Sequence, residues 1–184
     1  MFVGVLLIVF ALIGAIVLLV VGGDDDSGNG QSERVTQLQD ELLQRTVVNP
    51  DLGMSVRRPQ GWAQIKDHGV ITVTSPDNCV VISLSAPADA SGAGQLHDDS
   101  IALLRRTYKN ATVQSAPDSE VGGIPTTADT VLLKDEKGNQ IHILLSVGEG
   151  ATNAYLTQVV VRDLACQGAL QRAQLIASSI EYTK

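Results

Sequence analysis

The sequence predicts an α+β domain carried behind one membrane-spanning helix. Three observations lead there. Residues 2–21 form an unbroken apolar run without a charged or polar side chain. Three later stretches alternate in hydrophobicity and are joined by short loops, so their strands must pair antiparallel. Helical patterns precede and follow that meander, which separates the chain from folds that alternate strand and helix throughout.

As a helix the apolar run is about 30 Å long, the thickness of a hydrocarbon core. No Lys or Arg precedes it, it is longer than the apolar stretch of a signal peptide, and no Ala-x-Ala pattern lies near its end. No Cys follows it to take a lipid. It reads as an uncleaved anchor over residues 1–22. Residues 23–31, rich in Gly and holding Asp24, Asp25 and Asp26, form a flexible, solvated linker. Residues 32–184, about 150 residues, suffice for one domain with its own core.

Charge excludes some roles. The 13 basic residues all follow position 30. The aspartate triplet takes three of the 20 acidic ones, which leaves 17 acidic and 13 basic in the domain. A net of −4 offers no footprint for nucleic acid or an anionic lipid surface. On topology the signals conflict. The first basic side chain is Arg34, which by the positive-inside rule draws the domain toward the cytoplasm. The acidic triplet and two cysteines point the other way, and an extracytoplasmic domain is the expectation.

Ser32 caps an expected helix to about Arg45, with Val35, Leu38 and Leu42 on one stripe, and Asn49-Pro50-Asp51 stops it. Met54 to Arg57 reads as a strand, and Pro59-Gln60-Gly61-Trp62 as a turn. Val70 to Thr74 and Val80 to Ser85 alternate across the turn Ser75-Pro76-Asp77-Asn78. A helix is expected from Gln95 to Lys109, with Asp98 and Asp99 in its first turn and Arg105, Arg106 and Lys109 in its last, matching the helix dipole. An extended piece starts at Val113. The meander follows as Thr126 to Leu133, Gln140 to Val147 and Ala154 to Arg162, with Ile141, Ile143, Leu145 and Val147 facing the core. Asp163 caps a last helix that ends near Ser179.

Cys79 and Cys166 are the only cysteines. Cys79 opens a strand. Cys166 begins the last helix, on the apolar face with Ala169, Leu170, Ala173, Ala177 and Ile180. A sheet cysteine and one under a covering helix can meet, so the pair reads either as a disulfide or as two unpaired core thiols. No Cys-x-x-Cys supports redox chemistry.

Candidate chemistry is sparse. His97-Asp98-Asp99 is the one tight His/carboxylate cluster, but neighbours on a helix point about 100° apart and cannot grip one ion together. His68 lies in a loop, and His142 on the polar face of its strand with Leu144 and Ser146; both are expected to face solvent or bond locally. Phosphate-loop, dinucleotide-fold and Gly-x-Ser-x-Gly signatures are absent from the sequence. Asn110-Ala111-Thr112 matches a glycosylation acceptor. Trp62 reads as a core plug, and Ala11 and Ala15 give a small-xxx-small spacing in the span. No catalytic, cofactor or metal residue is assigned.

At Arg58-Pro59-Gln60-Gly61-Trp62, and again at Val121-Gly122-Gly123-Ile124-Pro125, the chain resembles the PsbP-like fold superfamily. The order of elements is similar over residues 50 to 182. Membrane-anchored and lipoprotein members from bacteria, such as the LpqN-like proteins of actinobacteria, look alike. The resemblance implies an antiparallel sheet with helices on both faces, an α/β/α sandwich, and a non-enzymatic accessory role. One departure stands out: lipoprotein members carry a lipidated Cys, and this chain has a transmembrane run. The expected function is therefore a membrane-anchored extracytoplasmic accessory or binding protein that engages a protein partner in the cell envelope. The alternatives are a lipid or small-molecule binding domain, and a hydrolase whose residues converge only in three dimensions.

Overall fold

A computed structural model of the chain describes residues 45–67, 69–135, 138–162, 166 and 168–182. The expected anchor, the linker, residues 32–44 of the expected first helix, His68 and Asp163 lie outside these. Among the described residues no helix is long and apolar enough to cross a membrane.

The elements run β1 (Arg45–Asn49), β2 (Met54–Arg58), β3 (Ala63–Asp67), β4 (Val70–Thr74), β5 (Val80–Ser85), α1 (Ala93–Thr107), β6 (Thr112–Ser115), β7 (Ser119–Val121), β8 (Ile124–Lys134), β9 (Gln140–Glu149), β10 (Ala154–Val161), α2 (Ala169–Ala177) and β11 (Glu181–Tyr182). Mostly antiparallel sheet, with two helices among the described residues, this is an α+β fold. A three-stranded sheet has the order β1-β2-β11. An eight-stranded sheet has the order β3-β4-β5-β10-β9-β8-β6, with β7 also on β8. Every pairing among these strands is antiparallel.

β4 and β5 fall where alternation places them, and β8, β9 and β10 form the expected meander. Several expectations need correction. Arg45 does not end a helix; it starts a strand. Asn49 turns the chain into β2 through Pro50–Gly53, where the Gly53 N–H donates to Pro50 O at 3.2 Å. The last helix begins at Ala169, and Cys166 precedes it, its carbonyl accepting the Ala169 N–H at 3.1 Å. β9 has no polar face toward solvent, because eight consecutive residues from Ile141 to Gly148 are buried. All eight residues of β10 are buried as well.

Two hydrophobic clusters account for this. Val80, Ile82, Leu84, Leu144, Val159 and Val161 pack with Val47, Met54 and Val56 of the small sheet and with Ala169, Ala173 and Ile176 of α2. Their strand neighbours Val81, Ile143, Leu145 and Val160 pack instead with Leu96, Ile101, Leu103 and Leu104 of α1. Trp62 is buried in the first cluster. The chain end closes onto the mid-domain turn. Tyr182 meets Tyr155 edge-on, with ring centroids 4.6 Å apart. It also lies over Gly122 (φ 60°), where a Cβ would come within 2.5 Å of the Tyr182 ring. Only glycine fits there, on both grounds.

Candidate functional site

α1 starts without a capping side chain of its own: its cap residue is Gly92. The carboxylate comes from Glu149 at the end of β9, whose Oε2 accepts the Ala93 N–H at 2.5 Å. Because the helix begins at Ala93, Asp98 and Asp99 fall beyond its first turn, which holds no acidic residue. The expected dipole match at this end is thus made through space by Glu149. At the other end Arg105 and Arg106 occupy the last turn as expected, but the helix stops at Thr107 and Lys109, expected there too, falls beyond it.

α1 places His97 over the sheet. Its Nε2 lies 3.0 Å from Oδ2 of Asp129 on β8, and its Nδ1 lies 3.4 Å from Oδ1 of Asp98. Asp129 is buried, so the partner nearer to His97 comes from 32 residues away rather than from the adjacent sequence. Asp129 belongs to a cross-strand row on the large sheet that is polar except at Leu145. The row runs from Thr72, whose hydroxyl is 3.3 Å from that of Ser83, to Gln158 opposite Ser83, then Leu145, Asp129 and Ser115. Gln158 is 1% exposed, and among the described residues neither atom of its amide has a hydrogen-bond partner; nor does the buried Ser100 hydroxyl on α1.

Both ring nitrogens of His97 face carboxylates, Nε2 the buried Asp129 and Nδ1 the exposed Asp98. Ser100, one turn along α1, is 1% exposed and cannot receive a substrate. His142, expected to face solvent or bond locally, is buried, its Nδ1 has no hydrogen-bond partner among the described residues, and burial pushes its pKa down. Among the described residues no group of three or more His, Cys, Asp or Glu is placed to hold a metal ion. Asn110 is exposed, with its Nδ2 donating to Lys134 O at 3.3 Å.

The second polar focus is the β4–β5 turn. Cys79 and Cys166 are joined in a disulfide, with Cα atoms 6.3 Å apart. Beside it, Arg172 of α2 reaches Asp77 Oδ2 at 2.7 Å. Asp77 also accepts the Ser75 hydroxyl and, at 3.0 Å, the Cys79 N–H. Partial burial opposes ionisation of Asp77, but these hydrogen bonds and the Arg172 charge outweigh it and hold the pKa at about 2. A depression of about 250 Å³, lined by Cys166, Gly168, Ala169, Leu170 and Gln171, opens beside the disulfide rather than between α1 and the sheet.

No protein-family model matches the chain, and no curated protein matches it. Solved structures do. Cyanobacterial PsbP from Synechocystis aligns with 88% of this chain and 98% of its own, at 14% identity and a TM-score of 0.51. The chain has the PsbP-like fold. A protein from Bacteroides thetaiotaomicron aligns with 78% of this PsbP-like chain at 17% identity and a TM-score of 0.50; the aligned part is 49% of that longer protein. LpqN of Mycobacterium tuberculosis, involved in cell envelope biogenesis, aligns with 85% of this chain and 98% of its own, at 14% identity and a TM-score of 0.43.

Proposed function

We propose that this chain is a membrane-tethered accessory protein whose PsbP-like domain lies outside the cytoplasm and binds a protein partner in the cell envelope without catalysing a reaction. The observation that carries this reading is the engagement of His97 between Asp129 and Asp98 beneath α1. Among the described residues the one His/carboxylate constellation ties α1 to β8, as Glu149 at Ala93 ties β9 to α1 and Asp77 at Arg172 ties the β4–β5 turn to α2. That leaves the outer surface to carry function. The Cys79–Cys166 bond supports an oxidising compartment. The apolar run 2–21 supports the tether, and the linker 23–31 gives the domain reach. The division of strand residues between two clusters supports α1 and α2 covering opposite faces of the large sheet, an α/β/α sandwich.

The test is fractionation and crosslinking of the full-length chain in its own envelope. The expected result is retention in alkali-washed membranes, protease cleavage of the domain from the outer side, and a discrete crosslinked envelope protein. Recovery of the intact chain in the detergent-free soluble fraction would remove the tether. Hydrolysis of an ester by the purified chain, abolished by His97→Ala, would replace the accessory role with an enzymatic one.

A further inference from the structure

Among the described residues β3 is an outer strand of the large sheet and pairs with β4 alone. All five of its residues are exposed, and Ile65, at 53%, is the most exposed large hydrophobic side chain among the described residues. No described strand pairs with the edge of β3 away from β4, and an outer strand of this kind can template a further one. A lone exposed isoleucine is ordinary; the charges around this one are not.

Gln64 and Lys66 point away from the Ile65 side of β3. They stand opposite Val73 and Ile71, which cluster with Val56 of β2. On that side Arg58 reaches across, its Nε donating to Gln64 Oε1 at 2.7 Å and its Nη1 to Trp62 O at 2.6 Å. Arg45 stands directly opposite Arg58 in the β1–β2 register, a like-charge pair that destabilises a sheet by itself. Arg45, Arg58 and Lys66 form no ion pair among the described residues. On a chain of net charge −7, the small-sheet side of this edge is locally basic.

We propose that the free edge of β3 takes up an extended strand of the partner protein in which acidic and apolar residues alternate. The carboxylates pair with Arg45, Arg58 and Lys66, and an apolar side chain lies on Ile65. Main-chain hydrogen bonds along β3 supply affinity, and the cations select the sequence, since a basic strand meets like charge. Lys66 guards the same edge against indiscriminate apolar strands. The proposal rests on the protein-binding reading above and names the face that it uses.

The experiment uses the full-length chain in detergent micelles and a synthetic octapeptide alternating Glu and Val. Its controls are the Lys/Val counterpart and the Glu/Val peptide N-methylated on alternate amides. The Glu/Val peptide is expected to bind by fluorescence anisotropy and to slow amide exchange across residues 63–67. Affinity should fall at least tenfold with the N-methylated peptide, and as much in the Arg45→Glu/Lys66→Glu chain. Failure to bind at millimolar peptide, equal binding by the charge-reversed chain, or unchanged exchange in β3 would each overturn the proposal. So would charge-dependent binding of phosphatidylglycerol vesicles without peptide binding, which would make the patch a lipid contact. A photocrosslinker placed in envelopes at Ile65, or at the exposed Arg105 of α1, separates docking on β3 from protein binding in general. Capture from Arg105 alone overturns this docking face and leaves the accessory reading standing, and silence at both positions counts against both.

Discussion

Glu149 caps a helix 56 residues away in sequence: its Oε2 accepts the Ala93 N–H at 2.5 Å, so the end of β9 closes the first turn of α1. Glu149→Ala leaves that donor without its carboxylate and is expected to lower stability by about 1 kcal/mol, the usual cost of a lost cap. Urea unfolding of the full-length chain in detergent measures it. Glu120→Ala, on an exposed strand position, is the control and should shift the midpoint little.

Asn49 is fully buried and satisfied on both ends of its amide. Its Nδ2 donates to Asp67 O at 2.9 Å and Val70 O at 3.2 Å, and its Oδ1 accepts the N–H groups of Asp51 and Leu52. Asn49→Ala strands these groups, at a cost of about 2–3 kcal/mol. Asn49→Asp should be worse at neutral pH, because a carboxylate cannot donate and would face two carbonyl oxygens. A smaller loss for Asp than for Ala in the same unfolding assay would contradict the bonding pattern.

The disulfide closes a separation of 87 residues. In the chain-entropy account such a loop contributes about 4–5 kcal/mol. The double variant Cys79→Ser/Cys166→Ser is expected to lose stability on this scale yet still fold, because Asp77 and Arg172 continue to hold the turn against α2. Unfolding of the wild-type chain with and without reductant should reproduce the difference.

His142 makes stability depend on pH in a defined direction. Burial disfavours its cation, so its folded pKa lies below 6.5, the unfolded value. The unfolded chain therefore binds the proton first. The contribution is complete above about pH 6.5 and is lost as pH falls toward the folded pKa. His142→Leu should flatten this part of the stability profile, and an NMR titration of the ring should show a midpoint below that of a His-containing peptide. A midpoint above the peptide's would refute the burial account.

The parts of the fold that were legible are those where one side of an element meets water or where loops are short. β4 and β5 show a period of two between clear turn residues, and the meander is forced by its connections. β3 is not legible because Ala63-Gln64-Ile65-Lys66-Asp67 lies wholly exposed at an edge and offers only Ala63 and Ile65 as an apolar side, too little to mark a strand. β11 is two residues long and exists only through pairing with β2. His142 was misplaced for the opposite reason: both sides of β9 are covered, so alternation no longer separates inside from outside. The pairing of His97 with Asp129 depends on where α1 crosses the sheet, which no spacing along the chain encodes. Arg45 and Arg58 likewise become neighbours only through the β1–β2 register.

The three-stranded sheet has a mechanical consequence. Arg45 and Tyr182 both belong to strands flanking β2, so a pull between them loads two short ladders, five residue pairs in one and two in the other. Once these peel and β3, β4 and α2, which also lie outside the disulfide loop, are drawn out, extension halts at Cys79 and Cys166, whose bond encloses everything from β5 to β10 in a covalent loop. Tension would therefore unravel a sacrificial margin and then meet a body that cannot be lengthened.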